Sequence, residues 1–159
     1  PSYLEVHPIS RTFPFLSELA HFEWRKSQIF LLPEQSTLEL GFLKELSSRG
    51  WEDWRATVTA TAFLFQSTYD FKYILDAIDQ QISLVHLPQD FKKKTYLLGV
   101  RQEDCIQTYW LDQNMFHFLR FLQQGGSVLE AYQHIPTLDL PQALVFLFSH
   151  KLFTHIQEA

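Results

Sequence analysis

Side chains able to do chemistry are few and scattered in this chain of 159 residues. The seven histidines are His7, His21, His86, His117, His134, His150 and His155. A metal pair on one helix face needs a spacing of three or four residues. His150 and His155 are five apart, and His21 and Glu23 are two apart, so neither pair qualifies. Cys105 is the single cysteine, which excludes an internal disulfide framework and a zinc site built on paired thiolates. Glu103 and Asp104 precede it, and neighbouring carboxylates disfavour a thiolate. Cys105 therefore reads as a small residue at a strand end. No G-x-S-x-G elbow, P-loop, G-x-G-x-x-G or H-E-x-x-H occurs, and five glycines leave no phosphate-cradling loop. The expectation is a protein that is not an enzyme, with no cofactor and no metal of its own.

Binding chemistry has more to offer. Glu23 borders the apolar face of a first helix, and a buried carboxylate there would need a partner such as Arg49 or Arg55. Trp51 and Trp54 read as packing anchors. Cys105, Ile106, Gln107, Thr108, Tyr109 and Trp110 fall in the second strand of a hairpin. A strand edge offers unpaired N–H and C=O groups, which proteins either protect or use. The run Lys92-Lys93-Lys94 just before the first strand fits protection. The use would be strand addition, in which an extended peptide pairs with the edge and seats alternate side chains.

The elements that must hold these residues follow from periodicity. Phe13-Pro14 puts a proline in the first turn of a helix, with Leu16, Leu19, Phe22 and Ile29 at helical spacing and Pro33 ending it. A second helix runs about Leu38 to Ser48, stopped by Gly50. Strict alternation from Thr57 to Ala62, continued by Phe63-Leu64-Phe65, predicts one strand. Asp70 caps a helix with Phe71, Ile74, Leu75, Ile78 and Ile82 on one face. Residues 95–101 and 105–110 form the hairpin around Gln102-Glu103-Asp104. Asp112 caps a helix that Gly125-Gly126 stops, Ser127 to Glu130 is a capping-box pattern, and a last helix runs from Leu140 to Ile156.

The whole chain sets bounds. At 18.8 kDa, with 46% apolar residues, it can bury a core unaided. No apolar run approaches the roughly 18 residues that span a bilayer, so no membrane partner is expected. Thirteen basic residues face eighteen acidic ones, for a net charge of −5, which weighs against phosphate-backbone binding. The chain opens on Pro1 without a signal-peptide pattern. This reads as processing or excision from something longer, and a cytoplasmic setting is expected.

Four stretches carry a resemblance: Phe15 to Trp24, Trp51 to Arg55, Thr95 to Arg101, and Gly125 to Ala131. Together they are similar to a bacterial family labelled as a DNA-binding domain. Its members resemble the partner subunits of multinuclear non-haem iron oxidative enzymes, as in methanobactin biosynthesis. The resemblance implies a subunit that binds such an enzyme and captures a precursor peptide's leader segment as an added strand. It also implies that the iron ligands belong to the enzyme. Family members begin with a further helical region of about a hundred residues, a domain's length. The DNA-binding label belongs to that region, and the resemblance implies that this chain starts after most of it.

The combined expectation is an α+β fold, with a helical segment at 1–50 and a winged-helix-like small antiparallel sheet packed on helices at 51–159. Peptide binding is assigned to Cys105, Ile106, Gln107, Thr108, Tyr109 and Trp110. Enzyme binding is assigned to Phe15, Leu19, Phe22, Glu23 and Trp24. The partners expected are an iron-dependent peptide-modifying enzyme and a precursor peptide. The competing reading is a winged-helix transcriptional regulator. It is opposed by a final helix whose one firm positive charge is Lys151. A structural module that self-associates through the same edge is the third.

Overall fold

The structure, a computed structural model, describes residues 2–47, 54–83 and 91–158. Gly50 and Trp51 lie outside them. Helices come first: α1 Ser2–Val6, α2 Ile9–Thr12, α3 Leu16–Phe30 and α4 Leu40–Ser47. There follow β1 Trp54–Val58, β2 Ala62–Tyr69, α5 Phe71–Asp79, β3 Lys92–Gln102 and β4 Cys105–Leu111. The chain ends with α6 Gln113–Gln123, α7 Val128–His134, α8 Leu140–Ser149 and β5 Phe153–Glu158. The fold is α+β, a helical N-terminal part followed by small antiparallel sheets packed on helices.

The sheets are a three-stranded one in the order β2-β3-β4 and a two-stranded one, β1-β5. Both faces of the larger sheet are covered, because successive strand residues point to opposite sides. Phe63, Phe65 and Leu97 face α3 and α5 and pack with Phe15, Phe22, Ile29, Phe71 and Ile74. Ala62, Leu98 and Val100 face the other way, into a core with Phe118, Leu119, Leu147 and Phe148. Trp54 joins this second core, and so does Phe153. Gly99 is required where it stands, since a Cβ there would overlap the Phe63 ring. α3 thus shares a core with β2 and β3, while Leu38, Phe42 and Leu43 pack against the other.

Three expected elements change. The alternation from Thr57 to Ala62 is not one strand: β1 stops at Val58, and Thr59 to Thr61 turn the chain from one sheet into the other. Thr59 is buried, and its Oγ1 lies 2.9 Å from Gln35 Oε1 and 2.8 Å from Thr61 Oγ1. Gln35 Oε1 also accepts from the Ala60 N–H at 2.7 Å. Threonine hydroxyls that bond locally compete with a sheet ladder, and the sequence pattern is the same in both cases. The last helix ends at Ser149, not Ile156. Lys151 takes a left-handed φ of 54°, and the Leu152 N–H bonds back to Leu147 O, closing the helix without glycine. Residues beyond it form β5, paired with β1 across the length of the chain. Pro14 stands ahead of α3 rather than in its first turn, and α1 and α2 precede it.

The caps hold as expected. Asp70 accepts from Tyr73 N–H and Asp112 from Met115 N–H, and Ser127 with Glu130 forms a full capping box. Gly125, at φ 86°, ends α6. On α5 the buried set is Phe71, Ile74 and Ala77 and Ile78 is exposed; the helix ends at Asp79, so Ile82 lies beyond it, also exposed. Burial pushes the Asp70 carboxyl up, but hydrogen bonds from Lys93 and the Tyr73 N–H, with the Lys93 and Lys72 charges, hold it below its usual value.

Candidate functional site: an open strand edge

β4 is an edge strand, and register determines which of its backbone groups are free. Gln102 pairs with Cys105 across the two-residue turn Glu103–Asp104, with Glu103 at φ 54°. Arg101 pairs with Ile106, Gly99 with Thr108 and Leu97 with Trp110. The Arg101 N–H donates to Thr61 O at 2.9 Å, so it points away from β4. Arg101 and Ile106 are therefore a non-hydrogen-bonded pair, and pairs alternate along an antiparallel ladder. Ile106, Thr108 and Trp110 accordingly turn their N–H and C=O groups to the open edge. Cys105, Gln107 and Tyr109 turn theirs to β3. Among the described residues no segment pairs with the open side.

The six residues expected at the edge are thus together on one strand, in two sets. Ile106 packs on the α3 side, and Thr108 and Trp110 share its face by period two. Tyr109 packs on the α8 side, its ring 5.7 Å from Phe146 and 4.1 Å from the His150 imidazole. Burial between these rings pushes the His150 pKa down. Trp110 is 39% exposed. Cys105 is exposed, with its Sγ 3.3 Å from Gln107 Nε2.

Lysines do not guard this edge. Lys92, Lys93 and Lys94 begin β3, the central strand, and β4 stops opposite Tyr96, so all three stand beyond its end. Lys93 instead pairs with Asp70 at 2.9 Å.

A cavity of about 410 Å³ adjoins the far end of β4, a feature the sequence reading missed. Trp110, Leu111, Met115, Leu138 and Phe146 give it apolar lining, and Asp112 and Asp139 stand among its polar groups. These aspartates are N-caps of α6 and α8, accepting from Met115 N–H at 2.8 Å and Gln142 N–H at 3.1 Å. The caps were legible signals, but that α6 and α8 bring them to one place depends on tertiary packing.

The expected enzyme-binding set is divided by the structure. Phe15 and Phe22 are each 1% exposed and belong to the core beneath β2, so a partner cannot touch them. Leu19 is half-buried against the same core. Glu23 is exposed and pairs with Lys26 at 3.1 Å, one helical turn on, rather than with Arg55; Arg49 lies outside the described residues. Trp24 is 48% exposed. A residue not singled out, Glu18, does more: it accepts from Ser67 Oγ at 2.5 Å, Thr68 N–H at 3.1 Å and Thr68 Oγ1 at 2.7 Å, fastening α3 to β2.

Among the described residues no group of three His, Cys, Asp or Glu is placed to hold a metal ion. None of their helices is long and apolar enough to cross a membrane. No protein-family model matches the chain, and no curated protein matches it.

Proposed function

We propose that this chain is a non-catalytic partner subunit that captures an extended stretch of a precursor peptide as a fourth strand on β4. It presents that peptide to an iron-dependent modifying enzyme. The observation that carries the capture step is the row of outward amides at Ile106, Thr108 and Trp110 on an edge without lysine or proline. Three such residues offer up to six main-chain hydrogen bonds, the affinity source in strand addition. The cavity beside Trp110 gives one peptide side chain a seat. The enzyme and its iron enter from the family resemblance alone, and Trp24 is the exposed apolar residue of the expected contact set.

The regulator reading is weaker on this geometry. α8 has no charged residue, and Lys151 lies in the turn after it. Recognition helices carry donors and cations to phosphates and base edges.

The test uses this chain as bait in its native host, beside Thr108→Pro. The Thr108 N–H faces the open edge, so proline there removes a donor from the incoming strand and leaves the β3–β4 ladder intact. Gln107→Pro would not serve, because that N–H faces β3. Wild type is expected to recover an iron-dependent enzyme together with a short peptide. Folded Thr108→Pro should keep the enzyme and lose the peptide by about tenfold or more. Recovery of DNA, of the bait alone, or of undiminished peptide with the variant overturns the reading.

A further inference from the structure

A second cavity, of about 640 Å³, opens on the outer side of α6, where it meets the segment after α7. Its volume is that of a small-molecule site. Gln113, His117 and Arg120 line it from α6, Gln124 from the C-cap of α6, and His134 from the end of α7. The α6 residues fall three and four apart, so they form one stripe along the helix. Among the described residues no Asp or Glu lines this cavity, although the chain as a whole carries a net charge of −5. Arg120 is exposed and has no ion pair among the described residues. Glu130, the acid one turn before His134, has its Oε2 engaged by the Ser127 N–H and hydroxyl in the α7 capping box.

The wall beside Arg120 is a fixed planar surface. His134 Nδ1 lies 2.7 Å from Glu130 O, and a carbonyl only accepts, so Nδ1 carries the hydrogen. The imidazole rests on Phe121 with centroids 5.3 Å apart and planes 32° apart. The Phe121 ring lies against Gly126, in the space a Cβ there would occupy. The exposed His134 ring is thereby presented as a platform on which a flat ligand can stack.

We infer that this cavity binds a phosphomonoester that also carries a planar ring, such as a nucleoside monophosphate. Arg120 supplies a two-pronged donor matched to phosphate oxygens. Gln113 and Gln124, on either side of it along the helix, supply amide donors. The Phe121-backed imidazole takes the ring. Asn114 and Thr137 line both this cavity and the one beside Trp110, but the residues assigned to the ligand are not on the β4 edge, and the inference does not depend on peptide capture.

The experiment is an NMR titration of the folded chain with AMP, adenosine and inorganic phosphate, followed at the Arg120 Nε–H and the His117 and His134 ring signals. AMP is expected to shift these signals and to bind about tenfold or more tighter than adenosine or phosphate. Arg120→Gln, an exposed substitution that leaves the core untouched, should bring AMP down to the level of adenosine. The inference is overturned if AMP binds no better than adenosine, if Arg120→Gln leaves AMP binding unchanged, or if the shifts fall elsewhere. A response to duplex DNA without one to AMP would overturn it as well, assigning the face to a nucleic-acid backbone.

Discussion

His150 ties the edge strand to α8, with its imidazole 4.1 Å from the Tyr109 ring and 4.4 Å from Phe146 between centroids. Burial there disfavours the imidazolium, so the folded pKa lies below the ordinary 6.5. The unfolded chain then takes up the proton first as the pH falls. Stability from this group is complete above about pH 6.5 and is lost as the pH drops toward the lower folded value. Thermal unfolding across that range should show a falling Tm for wild type and a flatter profile for His150→Gln. Equal slopes would mean that this ring does not sense its surroundings. None of this was legible in the sequence, where His150 is one of several scattered histidines and Tyr109 lies forty-one positions away. Asp70, Asp112 and the Ser127–Glu130 box were legible because a cap is satisfied within three residues.

Elements were readable wherever local chemistry decides them and misread where a distant partner decides. The β3–β4 hairpin is set by a two-residue turn and alternating residues on either side. The break at Thr59 to Thr61 is set by Gln35, far away in sequence, and β5 exists because β1 lies beside it. Placing peptide capture on residues 105–110 needed only the hairpin. Knowing which amides are free needed the bond from Arg101 to Thr61. The fastening of α3 onto β2 belongs to this level too. Ser67 is fully buried, and its hydroxyl donates to Glu18. Glu18→Ala would leave that hydroxyl and the Thr68 groups without their charged acceptor, a loss of about 2–3 kcal/mol. Urea unfolding would read it as a lower midpoint with unchanged slope. Glu23→Ala on the same helix removes only the exposed pair with Lys26 and should change stability by about 0.5 kcal/mol or less. If the two variants are equally stable, Glu18 does not hold the helix.

At the level of the molecule, the larger sheet is the middle layer between two helix-covered cores. α6 and α8 follow the sheet in sequence, whereas α3 comes before it, inside the helical segment read as a separate part at 1–50. Phe15, Phe22 and Ile29 cover Phe63, Phe65 and Leu97. Burying each of the three covering side chains is worth about 1.5–3 kcal/mol, or about 5–9 kcal/mol together. That is comparable with the roughly 5–15 kcal/mol by which an ordinary domain is stable at all. Residues 51–159 expressed alone would therefore expose the apolar sheet face that α3 covers, together with Phe71 and Ile74 of α5. The expected result is a fragment that binds a hydrophobic dye and melts without a cooperative transition, beside a full chain that melts in one step. The helical segment would then be a layer of a single folding unit, and an enzyme docked on α3 could use only its outer residues, Trp24 among them. A fragment that unfolds sharply and leaves the dye unbound would mean the sheet holds itself together. In that case the burial of Phe15 and Phe22 would serve to dock a separable arm.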